Sequence, residues 1–295
     1  MNYDSLFRSR YWLPKFGEIA LSSLHIALIS GLLLIPGYRS AAEPFKSVSA
    51  IINSGLFGHF LHSCHAYAGD LFLLAMLMHT LEYLLKRSFI AYHWKAWLWL
   101  VILLAIGVTV VFSGFLTLGS LESLDATHIL QNILGALHQS GQVIARFLLL
   151  STQNNSVLTI LLHHAVTFSI LTIILTYVHL KRFKADGYAF YYTLILIALL
   201  AVIVPAGVGA APQAELPVVK GPWYFRGLQE MLAWLPVWLA GVLLPLAFLI
   251  LMALLPVFPQ KQKPLLWSLG IFILFYLIES LVATFLRGAG WQLSV

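Results

Sequence analysis

Charge is what this chain has least of. Asp, Glu, Lys and Arg make up 9% of its 295 residues, against 60% hydrophobic ones, where a soluble domain carries about a quarter charged. That deficit excludes a water-exposed surface over most of the chain and implies an integral membrane protein. Cysteine is nearly absent as well. The single one, Cys64, excludes an internal disulfide, a paired-cysteine zinc or redox motif, and the Cys-x-x-Cys-His attachment of a c-type haem. The N-terminus has no short apolar core with a cleavage site, so no signal peptide is expected and the first span serves for insertion. The formal net charge is +6, yet no basic run with interleaved aromatics faces water. Nucleic acid is therefore not an expected partner.

Seven stretches reach the ~20 mostly apolar residues that a spanning helix needs: 17–36, 60–84, 96–118, 158–180, 189–208, 234–256 and 265–286. The expected fold class is all-α integral membrane, with seven transmembrane helices. Positive residues stay on the cytoplasmic side. One side collects Arg8, Arg10, Lys15, Lys86, Arg87, Lys95, Lys181, Arg182, Lys184, Lys261 and Lys263. The other collects only Arg39, Lys46, Arg146, Lys220, Arg226 and Arg287. The N-terminus is thus expected in the cytoplasm and the C-terminus outside. Two outer connections are long. Residues 119–157 carry Ile129, Ile133, Leu134 and Leu137 at helical spacing, which reads as a pair of amphipathic surface helices. Residues 205–233 start rich in Pro, Gly and Ala and then become aromatic and helical.

Four histidines stand out on two of the spans. His65 and His79 are fourteen residues apart, and His164 and His179 fifteen. At ~100° per residue, fourteen steps return within ~40° of the same face, ~21 Å along the axis, and fifteen within ~60°. On antiparallel helices this gives two cross-helix pairs, His65 with His164 and His79 with His179. Each pair can hold a flat ring between two neutral imidazoles, as a bis-histidine haem is held. Intramembrane histidines are functional candidates by default, and four at matched heights point to two b-type haems. Gly17 and Gly31 repeat the fourteen-residue step on the first span, and Gly114 lies on the third. They are expected to leave space for a haem edge, with small-residue helix packing as the alternative.

Further segments complete a pattern: FSGFLT at 112–117, DATHILQNILGAL at 125–137, KGPWYF at 220–225 and HLKRFKADG from His179. Together with the histidines and glycines they resemble cytochrome b of the cytochrome bc complexes. They resemble in particular the short photosynthetic form, a four-helix diheme subunit followed by a three-helix one. The resemblance implies a four-helix diheme domain at 1–187 and a three-helix domain at 188–295. It implies a subunit of a quinol-oxidising or quinone-reducing complex in a bacterial cytoplasmic membrane, with a Rieske-type iron–sulfur or multihaem c-type partner and a dimeric assembly. Pro222, Trp223 and Tyr224 match the family's Pro-Glu-Trp-Tyr quinol signature, with Pro222 where the family has its glutamate. That departure is similar to chains using low-potential quinones, so menaquinone is the expected quinone. His62 stands at the family's haem-propionate arginine, and Glu82 at a second position that is often arginine. Leu116-Thr117-Leu118 replaces the Leu-Pro-Trp that follows the third helix, and no cysteine near Lys15 provides an extra haem attachment.

A quinol pocket needs aromatic walls and a proton acceptor. Trp223, Tyr224 and Phe225 supply walls, and Glu230, two turns along the next helix, is the expected acceptor, ahead of Glu122, Asp125 and His128. At the inner face Lys184 and Asp186 are placed to hydrogen-bond a quinone, or else serve as ordinary positive-inside charges. The alternative function is a membrane anchor that passes electrons between the quinone pool and a dehydrogenase or multihaem cytochrome without bifurcation.

Overall fold

The structure is a computed structural model that describes residues 14–38, 43–149, 156–180 and 187–293. Among these residues the chain is helical, with no sheet and one isolated antiparallel bridge between Arg287 and Leu293. Lipid offers no partner to a bare N–H or C=O, so apolar runs fold into helices that bond within themselves. In chain order the helices are α1 (Phe16–Leu34), α2 (Pro44–Ile52), α3 (Leu56–Leu85), α4 (Trp94–Leu116), α5 (Leu121–Gly135), α6 (His138–Leu149), α7 (Ser156–Leu162), α8 (Ser169–Leu180), α9 (Gly187–Ile203), α10 (Arg226–Leu232), α11 (Leu244–Leu254) and α12 (Gln262–Leu281). Three π-helical turns adjoin them, at His163–Phe168, Leu239–Leu243 and Val282–Leu286.

Five segments are long and apolar enough to cross a bilayer: Phe16–Gly37, Leu56–Leu85, Trp94–Leu116, Val157–Leu180 and Pro259–Leu286. The other two expected spans are apolar but shorter, Gly187–Ile203 and Leu239–Leu254. Among the described residues, five of the seven expected spans are thus long helices and the other two are shorter apolar ones. Prolines cause both shortfalls. Pro205 disfavours helical geometry in the residue before it, and α9 stops at Ile203 instead of 208. Pro236 has no N–H with which to continue a helix from 234; instead its carbonyl accepts from Leu239 and Ala240 and starts the next one.

α1 lies along α3, and α4 packs on α8 and on the π-turn before it. α9 packs on α1 and α3, α11 on α4 and α12, and α10 on α12. The two histidine-bearing helices, α3 and α8, are not among the closely packed pairs. They stand apart, flanked by α1 and α4. The largest buried cluster includes Phe72, Met76, Trp97, Phe168, Met252 and Leu269, so one core joins the first four spans to the last two. The indole of Trp97 donates to the Met252 carbonyl at 2.7 Å across that join. Such interhelical bonds in lipid contribute about 0.6 kcal/mol on average, and close packing supplies the rest.

The expected pair of surface helices is α5 and α6. Ile133 and Leu134 of α5 are buried, and a left-handed His138 (φ 52°) turns the chain between the two helices. Both oxygens of Glu122 accept from the Ala210 N–H, at 3.1 and 3.2 Å. This ties the proline- and glycine-rich connection to the start of α5, at the end of the bundle that carries His65.

Candidate functional site

Four spans bring the histidines together in the expected pairs. The rings of His65 and His164 have their centroids 6.1 Å apart at an interplanar angle of 84°. Those of His79 and His179 are 6.4 Å apart at 61°. A metal bond to imidazole nitrogen is about 2.0–2.1 Å, as for zinc, and a ring centroid lies ~1.1 Å behind its nitrogen, so two axial imidazoles on one ion sit with centroids ~6.2 Å apart. Both pairs fit that spacing. Among the described residues no group of three or more His, Cys, Asp or Glu could hold a bare metal ion. Two ligands per pair suit an iron whose other four come from a macrocycle.

The π-turn explains why spacings of fourteen and fifteen both work. His164 lies within His163–Phe168, and a π-turn takes one residue more per hydrogen-bonded ring than an α-turn. The extra residue between His164 and His179 is absorbed there, so the pair regains the fourteen-residue register of His65 and His79. The Ser169 hydroxyl caps the turn by donating to the His164 carbonyl at 2.6 Å.

The neighbouring helices orient the rings. His65 Nδ1 bonds the Ala27 carbonyl at 3.0 Å and Ser30 Oγ at 3.2 Å. His164 Nδ1 bonds the Val110 carbonyl at 2.9 Å and Ser113 Oγ at 3.3 Å. With Nδ1 donating to a carbonyl, Nε2 keeps a lone pair that is free to bind a metal. The same triplet thus recurs on α1 and α4: a carbonyl, a serine three residues on, and a glycine at the fourth. A Cβ on Gly31 would lie 2.9 Å from His65 Cε1, one on Gly114 2.7 Å from His164 Cε1, and one on Gly17 3.0 Å from His79 Cε1. The glycines were expected to face a haem edge. In the structure each lies against a histidine ring, so their spacing copies that of the histidines.

The second pair is oriented differently. His79 Nδ1 is buried with no hydrogen-bond partner among the described residues. Its nearest anion is Glu82, Oε2 at 3.7 Å, whose other oxygen meets Lys86 Nζ at 2.5 Å. His62, one turn from His65, is also buried with Nδ1 unpartnered among the described residues. His163 is not available to iron, since its nitrogens bond Thr167 Oγ1 at 3.1 Å and the Phe147 carbonyl at 2.8 Å.

At the His65 end, the turn Gly221–Phe225 is fastened from all sides. The Gly221 N–H donates to Gln229 Oε1 at 2.8 Å, Arg226 Nε donates to the Gly221 carbonyl at 3.0 Å, and Tyr276 Oη donates to the Tyr224 carbonyl at 2.5 Å. Pro222 is half-buried and offers neither donor nor base. Phe225 stacks on Phe112 of α4, centroids 5.0 Å apart, and Trp223 meets Tyr224 edge-on at 5.4 Å. Burial holds the Tyr224 phenol well above the usual range, helped by the charge of Asp70 and by Tyr276. Glu230, the expected proton acceptor, is otherwise engaged. Arg287 grips both its oxygens, at 2.5 and 2.8 Å, and the Trp291 indole donates to it at 3.1 Å. Spacing of histidines passes over Asp70, although an acid inside a span is itself a signal; its Oδ1 accepts from Trp223 Nε1 at 3.1 Å. Lys184 and Asp186 lie outside the described residues.

Residues 5–187 match the family model for cytochrome b/b6/petB. Among solved structures, a chain described as "Hyperthermophilic respiratory Complex III" superposes with a TM-score of 0.68 at 19% identity, over 91% of this chain and 83% of that one. At that identity the likeness establishes a shared fold. The family match spans more than half of the sequence, and the protein belongs to the cytochrome b/b6/petB family.

Proposed function

We propose that the protein is the diheme membrane subunit of a quinol-oxidising, or quinone-reducing, respiratory complex. The carrying observation is the pair of imidazole couples, 6.1 and 6.4 Å between centroids, on spans that otherwise stand apart. His65 and His164 hold the outer haem iron, and His79 and His179 the inner one. Each haem supplies a one-electron carrier. The chain's own residues do the rest: Ala27, Ser30, Val110 and Ser113 fix the outer ligand rings, Gly17, Gly31 and Gly114 admit them, and His62 meets an outer propionate. The two histidine pairs lie ~21 Å apart by helix rise, so haems held there would relay electrons across the bilayer between an outer and an inner quinone site.

The outer quinone pocket is assigned to the turn bearing Pro222, Trp223 and Tyr224, with Phe112 and Phe225 as further wall. The inner one is assigned to Lys184 and Asp186. Glu230 supports the pocket as an anchor of α10 through Arg287 rather than as its base. Menaquinone is the proposed quinone. A Rieske-type iron–sulfur or multihaem c-type subunit takes electrons outside, in a dimeric complex of a bacterial cytoplasmic membrane with the N-terminus inside. Residues 1–187 form the diheme part and 188–295 the part bearing the quinol turn. Pro222, which binds no proton, favours a second reading: an anchor that passes electrons one way to a dehydrogenase or multihaem cytochrome without bifurcation.

Purification with native partners, a pyridine-haem spectrum and a subunit inventory test this. Two b-type haems per chain are expected, and H79A or H179A should remove the inner one while keeping the outer. Two haems at full occupancy in both variants would refute the pairing. A Rieske-type subunit supports bifurcation; multihaem c subunits alone support the anchor.

A further inference from the structure

A quinol leaves its pocket as quinone only if its two protons find acceptors, and Pro222 supplies none. The carboxylates near the turn are mostly committed elsewhere. Glu230 is held by Arg287 and Trp291, Glu122 caps Ala210, and Glu279 accepts from the Trp234 indole at 3.3 Å. Asp70 is different. It lies within the span Leu56–Leu85, five residues from His65, or ~7.5 Å along the helix. Its hydrogen bond from Trp223 Nε1, at 3.1 Å, is the one partner it has among the described residues. An ionised carboxylate accepts about four hydrogen bonds, so most of its capacity is open. The charged groups facing it are few: Tyr224 is the titratable neighbour that feels its charge, and no Lys or Arg pairs with it among the described residues. A carboxylate without a cation is costly inside a membrane, and such residues mark proton paths.

We propose that Asp70 is the proton acceptor of the outer quinol pocket, taking the place of the carboxylate that the Gly221–Phe225 turn lacks. This rests on the assignment of that turn as the quinol site. In the step, a quinol O–H bond breaks and an O–H bond forms on Asp70, which becomes neutral; the second proton goes to water at the outer face. The two electrons would leave one at a time, to a haem that His65 and His164 would hold and to a metal centre of a partner subunit. Quinone leaves, and Asp70 returns its proton to the outer side. Trp223 serves as the link, because its N–H holds the turn against the same carboxylate that receives the proton.

The test uses the complex with its native partners, reduced by a water-soluble naphthoquinol and followed by haem absorbance. D70N keeps an oxygen for the Trp223 N–H and loses the base, whereas D70E keeps both. Naphthoquinol-driven haem reduction should slow roughly 10²-fold in D70N, the typical worth of a general base, and recover most of its rate in D70E. Haem content and midpoint potentials should match the wild type in both. Tyr224→Ala reports on the pocket itself. If Tyr224→Ala is slow and D70N runs at the wild-type rate, Asp70 is not the acceptor while the pocket stands. If Tyr224→Ala also runs at the wild-type rate, the pocket assignment fails and this inference falls with it. Should D70N fail to assemble, infrared difference spectra of the wild type and D70E decide. A carboxylic-acid C=O band that grows on quinol oxidation and moves in D70E is expected, and its absence from both overturns the proposal.

Discussion

Gly31 and Gly114 have no room for a methyl group. The neighbour each would strike is a ligand ring, at 2.9 and 2.7 Å, already fixed by a carbonyl and a serine and therefore unable to swing aside. Overpacking of this kind costs typically about 1–3 kcal/mol, and here it would displace the imidazole nitrogen proposed to hold iron. G31A and G114A are each expected to lower outer-haem content while leaving the inner haem, as read by haem-to-protein ratio and low-temperature spectra. Normal content in both would remove the cradle. Glu82 has a different consequence. Its carboxylate is too far from His79 Nδ1 for a hydrogen bond at 3.7 Å, yet a negative charge beside an axial ligand favours the oxidised iron. E82Q should therefore raise the inner midpoint potential and leave the outer one in place, by redox titration. A drop, or an equal shift of both, would end that role.

Among the elements, the π-turn at His163–Phe168 and the coupling of α10 to the end of α12 do the positioning. Neither was legible in the sequence. Periodicity assumes a constant turn per residue, so a fifteen-residue step reads as a poorer match than fourteen, and one inserted residue is invisible. Glu230 read as a free acid because its partner, Arg287, is distant in sequence and reaches it only when α12 packs on α10. The Glu230 side chain is 3% exposed, and removing one member of a buried pair leaves the other charged and unmatched. R287Q is expected to lower the thermal unfolding temperature in detergent by several degrees, and E230Q/R287Q to recover part of the loss. A double variant no more stable than R287Q would mean the pair contributes little. By contrast, the triplets Ala27/Ser30/Gly31 and Val110/Ser113/Gly114 were present to be seen as two Ser-Gly steps, but only the helix contacts give them meaning.

Across the whole molecule, the distribution of Lys and Arg predicts a cytoplasmic N-terminus. A cysteine introduced at the exposed Glu215 should react with an impermeant maleimide from outside, and one at exposed Lys263 only after permeabilisation. The reverse pattern would invert the topology and exchange the outer and inner haems. The lone native thiol, Cys64, is buried and leaves a low background. One core runs from α3 and α4 into α11 and α12, so the Gly221–Phe225 turn is held by the same packing that holds the histidine-bearing helices.

By itself the sequence determined the membrane class, the approximate spans, and the pairing of His65 with His164 and of His79 with His179, because these follow from local composition and from helix periodicity. Only the tertiary structure decided that two of the spans are short, that the glycines meet histidine rings, that Glu230 is paired, and that Asp70 bonds Trp223 of the Gly221–Phe225 turn. Each of these depends on contacts between residues far apart in the chain, and helical spacing carries no information about which helix lies next to which.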